Sequence, residues 1–502
     1  MQISKRSKLA CIISICQLAS AHAGAINGNI GAGNIAGNLT DSIWYSTGDP
    51  LHTNIDTPPA MPSGYRDTAI TTPCEAGINI SQALTLADVA DASLCNNPQT
   101  REAWANARVQ AALLGVAKSA YLPKVTDNVA ANANVASPQI SRSNPYSIIS
   151  NNLVATYLLY DFGNRDANLE NARQLLQAAS ATQSGTVQNI LLSAVQAYYQ
   201  VQARQSAVDA SLEAERASAE SFKAADARYK TGVATPADKL QAQTAYAQQT
   251  LLRISNEGAL KMAYGALANV MGLPANTPLT IAPMTIAVNG SAKPNTSPDI
   301  LQDVNALIEE AHIRRPDLIA TEAQLKAAEA SINASRNAAK PTISLALSNY
   351  SQDGSQFNAS NTAALGITLS IPLFDGYAPT YKIHAAEANA DLKLAQLDKL
   401  KLSVSLDVWN TYQTLKVATQ TISAADILVS SAEESARVAI GRYKAGVGNI
   451  IELLNAQRVL ASAQQQNIQA RLSFNIARAS LAQAIGLLDN AMIQSLPDGK
   501  AQ

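Results

Sequence analysis

Apolar residues recur every seven positions along the C-terminal part of the chain and mark the seam of a long helix. Two complementary rows share this spacing: Val408, Leu415, Ile422, Val429 and Ala436 form one, and Val404, Thr411, Ala418, Ala425 and Ala432 form the other. The N-terminal half repeats the pattern at Val187, Ala194, Val201 and Val208. A seven-residue repeat predicts left-handed supercoiling of packed helices. Alanine at so many seam positions predicts helices that lie close together, as in the wall of a tube.

Proline is missing from two long stretches of the sequence. None occurs between Pro145 and Pro236, and none between Pro379 and Pro497. Because a proline inside a helix costs about 3 kcal/mol, both stretches are predicted to be uninterrupted helices. A helix from Asn164 to Lys230 would be roughly 100 Å long at 1.5 Å per residue. Periodicity alone leaves open a long dimeric coiled coil as the alternative.

Two shorter regions alternate apolar and small polar residues with a period of two, which is typical of strands. The alternating apolar residues are Ile343, Leu345 and Leu347, then Leu365, Ile367, Leu369 and Ile371, with less regular counterparts from Val125 to Val135 and from Leu153 to Leu159. They predict one β-hairpin at about 124–162 and another at about 342–374. Four strands cannot close a barrel, and lipid does not tolerate an open sheet edge. Several chains should therefore contribute to one membrane barrel.

The chain consists of two tandem copies of one unit. The segment Arg228–Val233 recurs as Arg442–Val447, at an offset of 214 residues. The other matches are Gly272 with Gly486, Asp161 with Asp375, Pro123 with Pro341, and Asn97-Pro98 with Arg315-Pro316. Residues 81–290 form the first repeat and residues 291–490 the second, followed by a tail at 491–502. Each repeat is predicted to contain a helical segment (about Ser81 to Ala120, and Leu301 to Ala339), the β-hairpin, a long helix and a returning helix.

The N-terminal 80 residues precede the first repeat. Residues 1–23 have a basic start, a short apolar stretch and a small-residue cleavage motif, so they are predicted to be a secretory signal peptide. Residues 24–80 are rich in Gly, Asn, Pro and Thr and are predicted to be a poorly ordered extension. Removal of the signal leaves Cys74 and Cys95. An oxidising compartment would permit a disulfide between them, but two unreacted thiols are equally compatible with the spacing.

Composition and charge exclude several classes of function. Charged residues make up 15% of the chain and the net charge is −1, so no broad nucleic-acid-binding surface is expected. The sequence contains no catalytic constellation, phosphate-binding loop or cysteine cluster with metal-ligand spacing. We therefore expect a protein that is not an enzyme and that carries no cofactor or metal.

Three motifs in this order resemble the TolC-like outer-membrane factor family. They are Arg315-Pro316-Asp317-Leu318, Ile371-Pro372-Leu373-Phe374-Asp375-Gly376, and the paired Arg-Tyr-Lys-x-Gly-Val turns. The resemblance runs from about Ser81 to Leu488. It implies a homotrimer with a 12-stranded barrel in the lipid of the outer membrane, continued by a long α-helical tunnel through the periplasm.

The same resemblance implies a function and its partners. A periplasmic adaptor and an inner-membrane pump, of the RND or ABC type, would deliver drugs, metals or proteins to a passive outer-membrane channel of an efflux or type I secretion system. The alternative is a periplasmic coiled-coil scaffold without a pore, and the strand pattern argues against it.

The two helix turns carry the candidate site. By resemblance, Glu452 is a pore-facing acid, Asp238 and Tyr443 are aperture-linking residues, and Asn455 and Gly448 replace an acid and a linking base of the family. Asp238 and Glu452 also stand three residues after Thr235 and Asn449, which is a helix-capping pattern. By resemblance again, the turns form the docking surface for an adaptor, at Gly232, Val233, Thr235, Gly446, Val447 and Asn449. Their glycines also have a simpler explanation, that they permit a tight turn.

Overall fold

The computed structural model describes residues 49–53, 82–134, 146–282, 303–355 and 357–489. The chain divides into two compact units after His52. In the first, the backbone nitrogen of His52 donates to the carbonyl of Asp49 at 3.2 Å. The helices and strands below all belong to the second. The predicted signal peptide, most of the 24–80 extension, Cys74 and the tail at 491–502 lie outside the described residues.

Four helices and two strands lie in the described residues of the first repeat. They are α1 (Leu86–Asn96), α2 (Pro98–Ser119), β1 (Lys124–Asn134), β2 (Tyr146–Tyr160), α3 (Asn164–Lys230) and α4 (Pro236–Val270). The helical segment predicted at Ser81–Ala120 is in fact two helices. The break falls at Asn97, whose backbone is extended (φ −64°, ψ 127°), because the ring of Pro98 disfavours a helical conformation in the residue before it.

The second repeat has the same order of elements. They are α5 (Val304–Arg314), α6 (Pro316–Ala338), β3 (Thr342–Gly354), β4 (Phe357–Ser370), α7 (Ala378–Lys444) and α8 (Ile450–Ile485). Here too the predicted single segment is two helices. The break at Arg315 (φ −64°, ψ 124°) has the same geometry and the same cause, since Pro316 follows it.

The long helices α3 and α7 confirm the predictions from proline spacing and heptad pattern. Each has 67 residues, and α3 begins and ends at the predicted residues. The buried residues of α7 include a row at seven-residue spacing: Ala390, Leu397, Val404, Ala418, Ala425, Ala432 and Ala439. In the other predicted row, Val408, Leu415 and Ala436 are buried, whereas Ile422 and Val429 are only half-buried. In the described ranges, no helix combines the length and apolar character needed to cross a membrane.

The four strands form one antiparallel sheet in the order β1-β2-β3-β4. The central pair, β2 and β3, joins the two repeats, with Leu153 opposite Asn349. Within the described part of the chain, β1 and β4 each pair on one side only. On β4, the side chains of Leu365 and Ile367 are each 71% exposed. The sheet therefore ends in two open edges, and both carry exposed apolar residues, since Val129 on β1 is 70% exposed.

The two long helices differ in how much of their surface the chain covers. Helix α3 contacts α2 of its own repeat and α6 of the other repeat, whereas α7 contacts α6 of its own repeat and, among the described residues, makes no comparable contact with α2. As a result α3 buries 20 of its 67 residues and α7 buries 11. Val195 on α3 is fully buried, and Trp409, at the corresponding position of α7, is 46% exposed. One side of α7 is thus left bare by that part of its own chain which the structure describes.

Each helix break packs against the end of the returning helix of its own repeat. Gly272 follows α4 with φ 72°, and a Cβ added there would lie 2.5 Å from the carbonyl oxygen of Asn96. Gly486 follows α8 with φ 83°, and a Cβ there would lie 3.1 Å from the backbone of Arg314. Each glycine combines a positive φ with a close backbone neighbour, and a residue without a Cβ accommodates both. The recurrence of a glycine at this place in both repeats is thus explained by one contact made twice.

Candidate functional site at the helix turns

Two helical hairpins, α3–α4 (the first helical hairpin) and α7–α8 (the second), end in turns with the same geometry. Gly232 (φ 76°) and Gly446 (φ 78°) both adopt the left-handed conformation. The following nitrogens, of Val233 and Val447, donate to carbonyls five residues earlier at 2.9 and 3.1 Å. This is the usual way in which glycine ends a helix. The two valines project from the turns and are 76% and 72% exposed.

In the first turn, Asp238 caps the helix that follows. Thr235 Oγ1 accepts from the backbone nitrogen of Asp238 at 3.2 Å, and Asp238 Oδ2 accepts from the backbone nitrogen of Thr235 at 3.0 Å. The Asp238 carboxylate and the Thr235 hydroxyl therefore each accept a hydrogen bond from a backbone nitrogen at the start of α4, as the capping interpretation requires. The aperture-linking role of Asp238 stays a prediction.

In the second turn, Glu452 occupies the same repeat position and behaves differently. Asn449 Oδ1 accepts from the backbone nitrogen of Glu452 at 2.7 Å, so the cap is present. The Oε1 atom of the Glu452 carboxylate lies 3.5 Å from Nη1 of Arg442. With 41% of the side chain exposed, this carboxylate is accessible to solvent and to ions.

Glu452 and Asn455 lie in one groove between α7 and α8. The groove has a volume of about 890 Å³, and Ser430, Ser431 and Ser435 also line it. Glu434, from α7, adds a second carboxylate, which lies 2.7 Å from Arg437. The sequence analysis assigned two residues of α8 to this site, the acid Glu452 and Asn455, which replaces a second acid of the family. It missed Glu434 on α7. Its position in the seven-residue pattern, beside the buried Ala432 and Ala436, was the available signal.

Near the turns, Tyr443 lies where the two helical hairpins contact each other. Its side chain is 5% exposed and packs in an apolar cluster with Ala225, Ala242, Ala439, Ile450 and Leu453. The guanidinium of Arg228 lies 4.2 Å from the centre of the Tyr443 ring, and its Nη2 donates to the Tyr443 carbonyl oxygen. Arg228 was not among the predicted site residues. The repeated Arg-Tyr pair in the sequence was its only signal.

The first turn also carries an ionic cluster without an equivalent in the second. Asp226 lies 2.7 Å from Lys230 Nζ and 2.8 Å from Lys239 Nζ. Hydrogen bonds from Lys230 and then Lys239 hold the pKa of the Asp226 carboxyl below its usual value. The corresponding residue of the second repeat is Ile440, which packs against the apolar cluster around Tyr443. The two turns therefore share a backbone but differ in chemistry.

Metal binding and the cysteines can be addressed only for the described residues. Within them, no group of three His, Cys, Asp or Glu side chains could hold a metal ion. Cys95 is disulfide-bonded. Cys74 lies outside the described residues, so the pairing of Cys74 with Cys95 stays a prediction.

Comparison with known proteins agrees with this architecture. The sequence profile described as outer membrane efflux protein matches residues 89–273 and 307–487. Protein CyaE of Bordetella pertussis (strain Tohama I) is 29% identical over 448 residues, covering 88% of this chain and 92% of the relative. The probable efflux pump outer membrane protein TtgC of Pseudomonas putida (strain KT2440) is 26% identical over 411 residues, covering 78% of this chain and 81% of the relative.

A solved structure shows the same fold. The open state of the MtrE outer membrane channel of Neisseria gonorrhoeae superposes with a TM-score of 0.68 at 20% identity, covering 83% of this chain and 91% of that one. The profile matches each repeat separately, over most of the chain, in agreement with the duplication seen in the sequence and the fold. The chain belongs to the outer membrane efflux protein family, a family of outer-membrane channels with a large periplasmic helical part.

Proposed function

We propose that three copies of this chain form one channel that conducts substrate passively across the outer membrane. The open edges of the four-stranded sheet carry the proposal. Each unpaired backbone group would cost several kcal/mol in lipid, so β1 and β4 need partners. The number of strands is even, so β4 of one copy can pair antiparallel with β1 of the next. Three copies of four strands close a 12-stranded barrel.

The helices support the same assembly. The bare side of α7, with Trp409 and Val417 exposed, has no cover from the described residues of its own chain. Helix α3 is covered at the equivalent place by α6 of the other repeat. By the symmetry of the repeats, α2 of the next copy would cover α7, and the alternating helices would continue around a ring. The ring extends the barrel as a tunnel into the periplasm.

The tunnel receives its substrate through partner proteins. We infer a periplasmic adaptor that contacts the turns around Val233 and Val447, with Gly232, Thr235, Gly446 and Asn449 shaping them. An inner-membrane pump, of the RND or ABC type, supplies the energy and selects the drug, metal or protein that passes. The similarity to TtgC, a probable efflux pump outer membrane protein, supports a role beside a pump.

Four residues form the proposed periplasmic aperture. Threefold symmetry multiplies the Glu452 carboxylate into a ring of like charges that favours cations at the entrance. Asn455 lies in the same groove and contributes no charge, while Asp238 and Tyr443 position the hairpins around the ring. Family resemblance and the exposure of the Glu452 carboxylate support this assignment.

Membrane fractionation and mass measurement test the proposal. The mature protein should be in the outer-membrane fraction, should be released only by detergent, and should have the mass of a trimer. It should also form channels in planar lipid bilayers. A periplasmic monomer or dimer that leaves without detergent would contradict the barrel and would favour a coiled-coil scaffold.

Crosslinking tests the adaptor separately. Val233→Cys and Val447→Cys should each capture an adaptor in intact cells through a bifunctional thiol reagent. Met262→Cys is the matched control, because its side chain is 72% exposed on α4, away from both turns. Equal capture at all three positions, or none at either turn, would count against docking at the turns.

A further inference from the structure

A cavity of about 130 Å³ lies between α3 and α8, far along both helices from the turns. Its apolar lining includes Ala203 from α3 and both Ile468 and Leu472 from α8. Tyr199 from α3 also lines it. A protein cavity of about 150 Å³ holds a benzene ring, so this space is large enough for a small organic group.

Asn475 brings an amide to this cavity. Its side chain lines the cavity, and the residue is only 8% exposed. Among the residues that the structure describes, none donates a hydrogen bond to this amide or accepts one from it. Burial of an amide without a hydrogen bond is unfavourable, and buried polar groups in proteins nearly always have a partner. The position therefore indicates a hydrogen-bonding group inside the cavity.

Arg478, one turn further along α8, is a half-buried cation. Burial lowers the pKa of its guanidinium, and an electrostatic interaction with Tyr199, which lines the cavity, opposes this effect. In the described part of the chain, no carboxylate pairs with Arg478 and no oxygen accepts a hydrogen bond from it. Its Cζ lies 5.8 Å from the centre of the Phe474 ring, one turn earlier on α8. The side chain therefore runs back along the helix to the level of Asn475.

Arg471 lies seven residues before Arg478, on nearly the same side of α8, and its charge is used within the protein. Its Nη2 lies 2.8 Å from Asp426 Oδ1 on α7. Its Nε donates to Asn467 Oδ1 at 2.8 Å. Two arginines on one side of α8 thus differ, because the first has an acidic partner and the second has donors available to a ligand.

We propose that this cavity, together with Asn475 and Arg478, binds a small organic anion with an apolar body, one per chain. The apolar body lies against Ala203 and Leu472, and its carboxylate accepts hydrogen bonds from Asn475 and Arg478. Arginine presents a planar fork of donors that matches a carboxylate. An aromatic monocarboxylate has a suitable size and charge. The site lies within one chain, so it does not depend on the trimeric channel proposed above.

Calorimetric titration of the mature protein in detergent with benzoate is the first test. Benzoate should bind saturably, with one molecule per chain. Benzyl alcohol has the ring without the charge, and it should bind about tenfold more weakly or worse, because hydrogen bonds to charged groups contribute at least such a factor. Acetate has the charge without the ring, and the loss of apolar burial should weaken it by about tenfold or more.

Two substitutions test the residues. Arg478→Gln should weaken benzoate by about tenfold or more and leave benzyl alcohol unchanged, because only the charged ligand uses the guanidinium. Asn475→Leu removes the amide and occupies part of the cavity, so it should weaken both ligands. Arg216→Gln is the control for loss of an arginine, since Arg216 pairs with Glu213 at the surface of α3. It should bind both ligands as the wild type does.

The outcomes separate this site from the channel. Absence of saturable benzoate binding to the wild type would overturn the proposal, and so would equal affinity for benzoate and benzyl alcohol. Acetate that binds as tightly as benzoate would leave the cavity without a role. Equal benzoate affinity in Arg478→Gln and Arg216→Gln would contradict the proposed contact. If a variant does not fold, the three ligands still decide the matter on the wild type, and none of these results tests trimer formation or conductance.

Discussion

The side-chain nitrogen of Asn97 lies 3.0 Å from the carbonyl oxygen of Val270, and this contact fastens the break between α1 and α2 to the end of α4. Arg315 makes the equivalent contact in the second repeat, from Nη1 to the carbonyl oxygen of Ala484 at 3.5 Å. Asn97 Oδ1 also accepts from the nitrogen of Gln99, so one amide caps a helix and joins two segments. Different side chains thus perform one task at the same place in each repeat.

Gly272→Ala should destabilise the protein by more than about 2 kcal/mol, since it adds strain at a positive φ and a clash with the Asn96 carbonyl. Gly258→Ala is the matched control. Gly258 is exposed inside α4 with nothing within 4 Å of an added Cβ, so its replacement should stabilise by about 0.5–1 kcal/mol. Thermal unfolding in detergent, followed by circular dichroism, measures both. Equal midpoints for the two variants would contradict the close approach of Gly272 to the helix break.

Glu452→Ala and Asp238→Ala remove acids from the same repeat position and should have different effects. Glu452→Ala should lower the preference of the open channel for cations over anions, because its carboxylate is exposed. Asp238→Ala should instead cost about 0.5–1 kcal/mol of stability, through the lost cap and helix-dipole interaction. Reversal potentials in a salt gradient measure the first effect and thermal unfolding the second. Identical selectivity in wild type and Glu452→Ala would remove Glu452 from the aperture.

The pH dependence of stability should contain a contribution from Asp91 on α1. Burial raises the pKa of the Asp91 carboxyl from 3.8 to about 6. Between these values the folded state binds more protons than the unfolded state, so this contribution is present at low pH and is lost as pH rises. As pH rises through this window, the free energy of unfolding should fall by about 1 kcal/mol less in Asp91→Asn than in the wild type, after solvent screening is allowed for. Unfolding midpoints on both sides of this window measure it, with Asp209→Asn, an exposed position on α3, as the control for lost charge. Parallel curves for Asp91→Asn and wild type would contradict the prediction.

The partner of the disulfide-bonded Cys95 is predicted to be Cys74. Peptide mapping of the mature protein without reductant should recover the two residues in one crosslinked pair. Reduction should lower stability by about 2–4 kcal/mol, the usual effect of opening such a loop. The Cys74→Ser variant should leave Cys95 reactive towards a thiol reagent. Retention of a Cys95 disulfide in that variant would identify another partner.

Sequence alone predicted the large elements because their signals are long and redundant. Absent prolines and a heptad pattern specify α3 and α7, and alternation specifies the four strands. The breaks at Asn97 and Arg315 were missed although Pro98 and Pro316 are visible. Each helical segment was predicted as one unit, and the restriction that a proline places on the residue before it was not applied.

The contacts of the candidate site were harder to predict. Arg228 and Arg442 are equivalent in sequence, and so are Asp238 and Glu452. Their different partners depend on which hairpin lies beside each turn, and neither periodicity nor spacing contains this information. Capping by Asp238 was predictable, because it involves residues only three positions apart. The link from Arg228 to Tyr443 spans two repeats and required the fold.

The bare side of α7 has a consequence for how the protein is made. A single newly exported chain can complete its first repeat, but part of the second repeat stays uncovered until a neighbour arrives. Folding and assembly are then one equilibrium, and the apparent unfolding temperature should rise with protein concentration. A destabilising substitution on α7, such as one at Trp409, would lower the number of trimers in the cell. The unassembled monomers would be exposed to proteases before they reach the membrane.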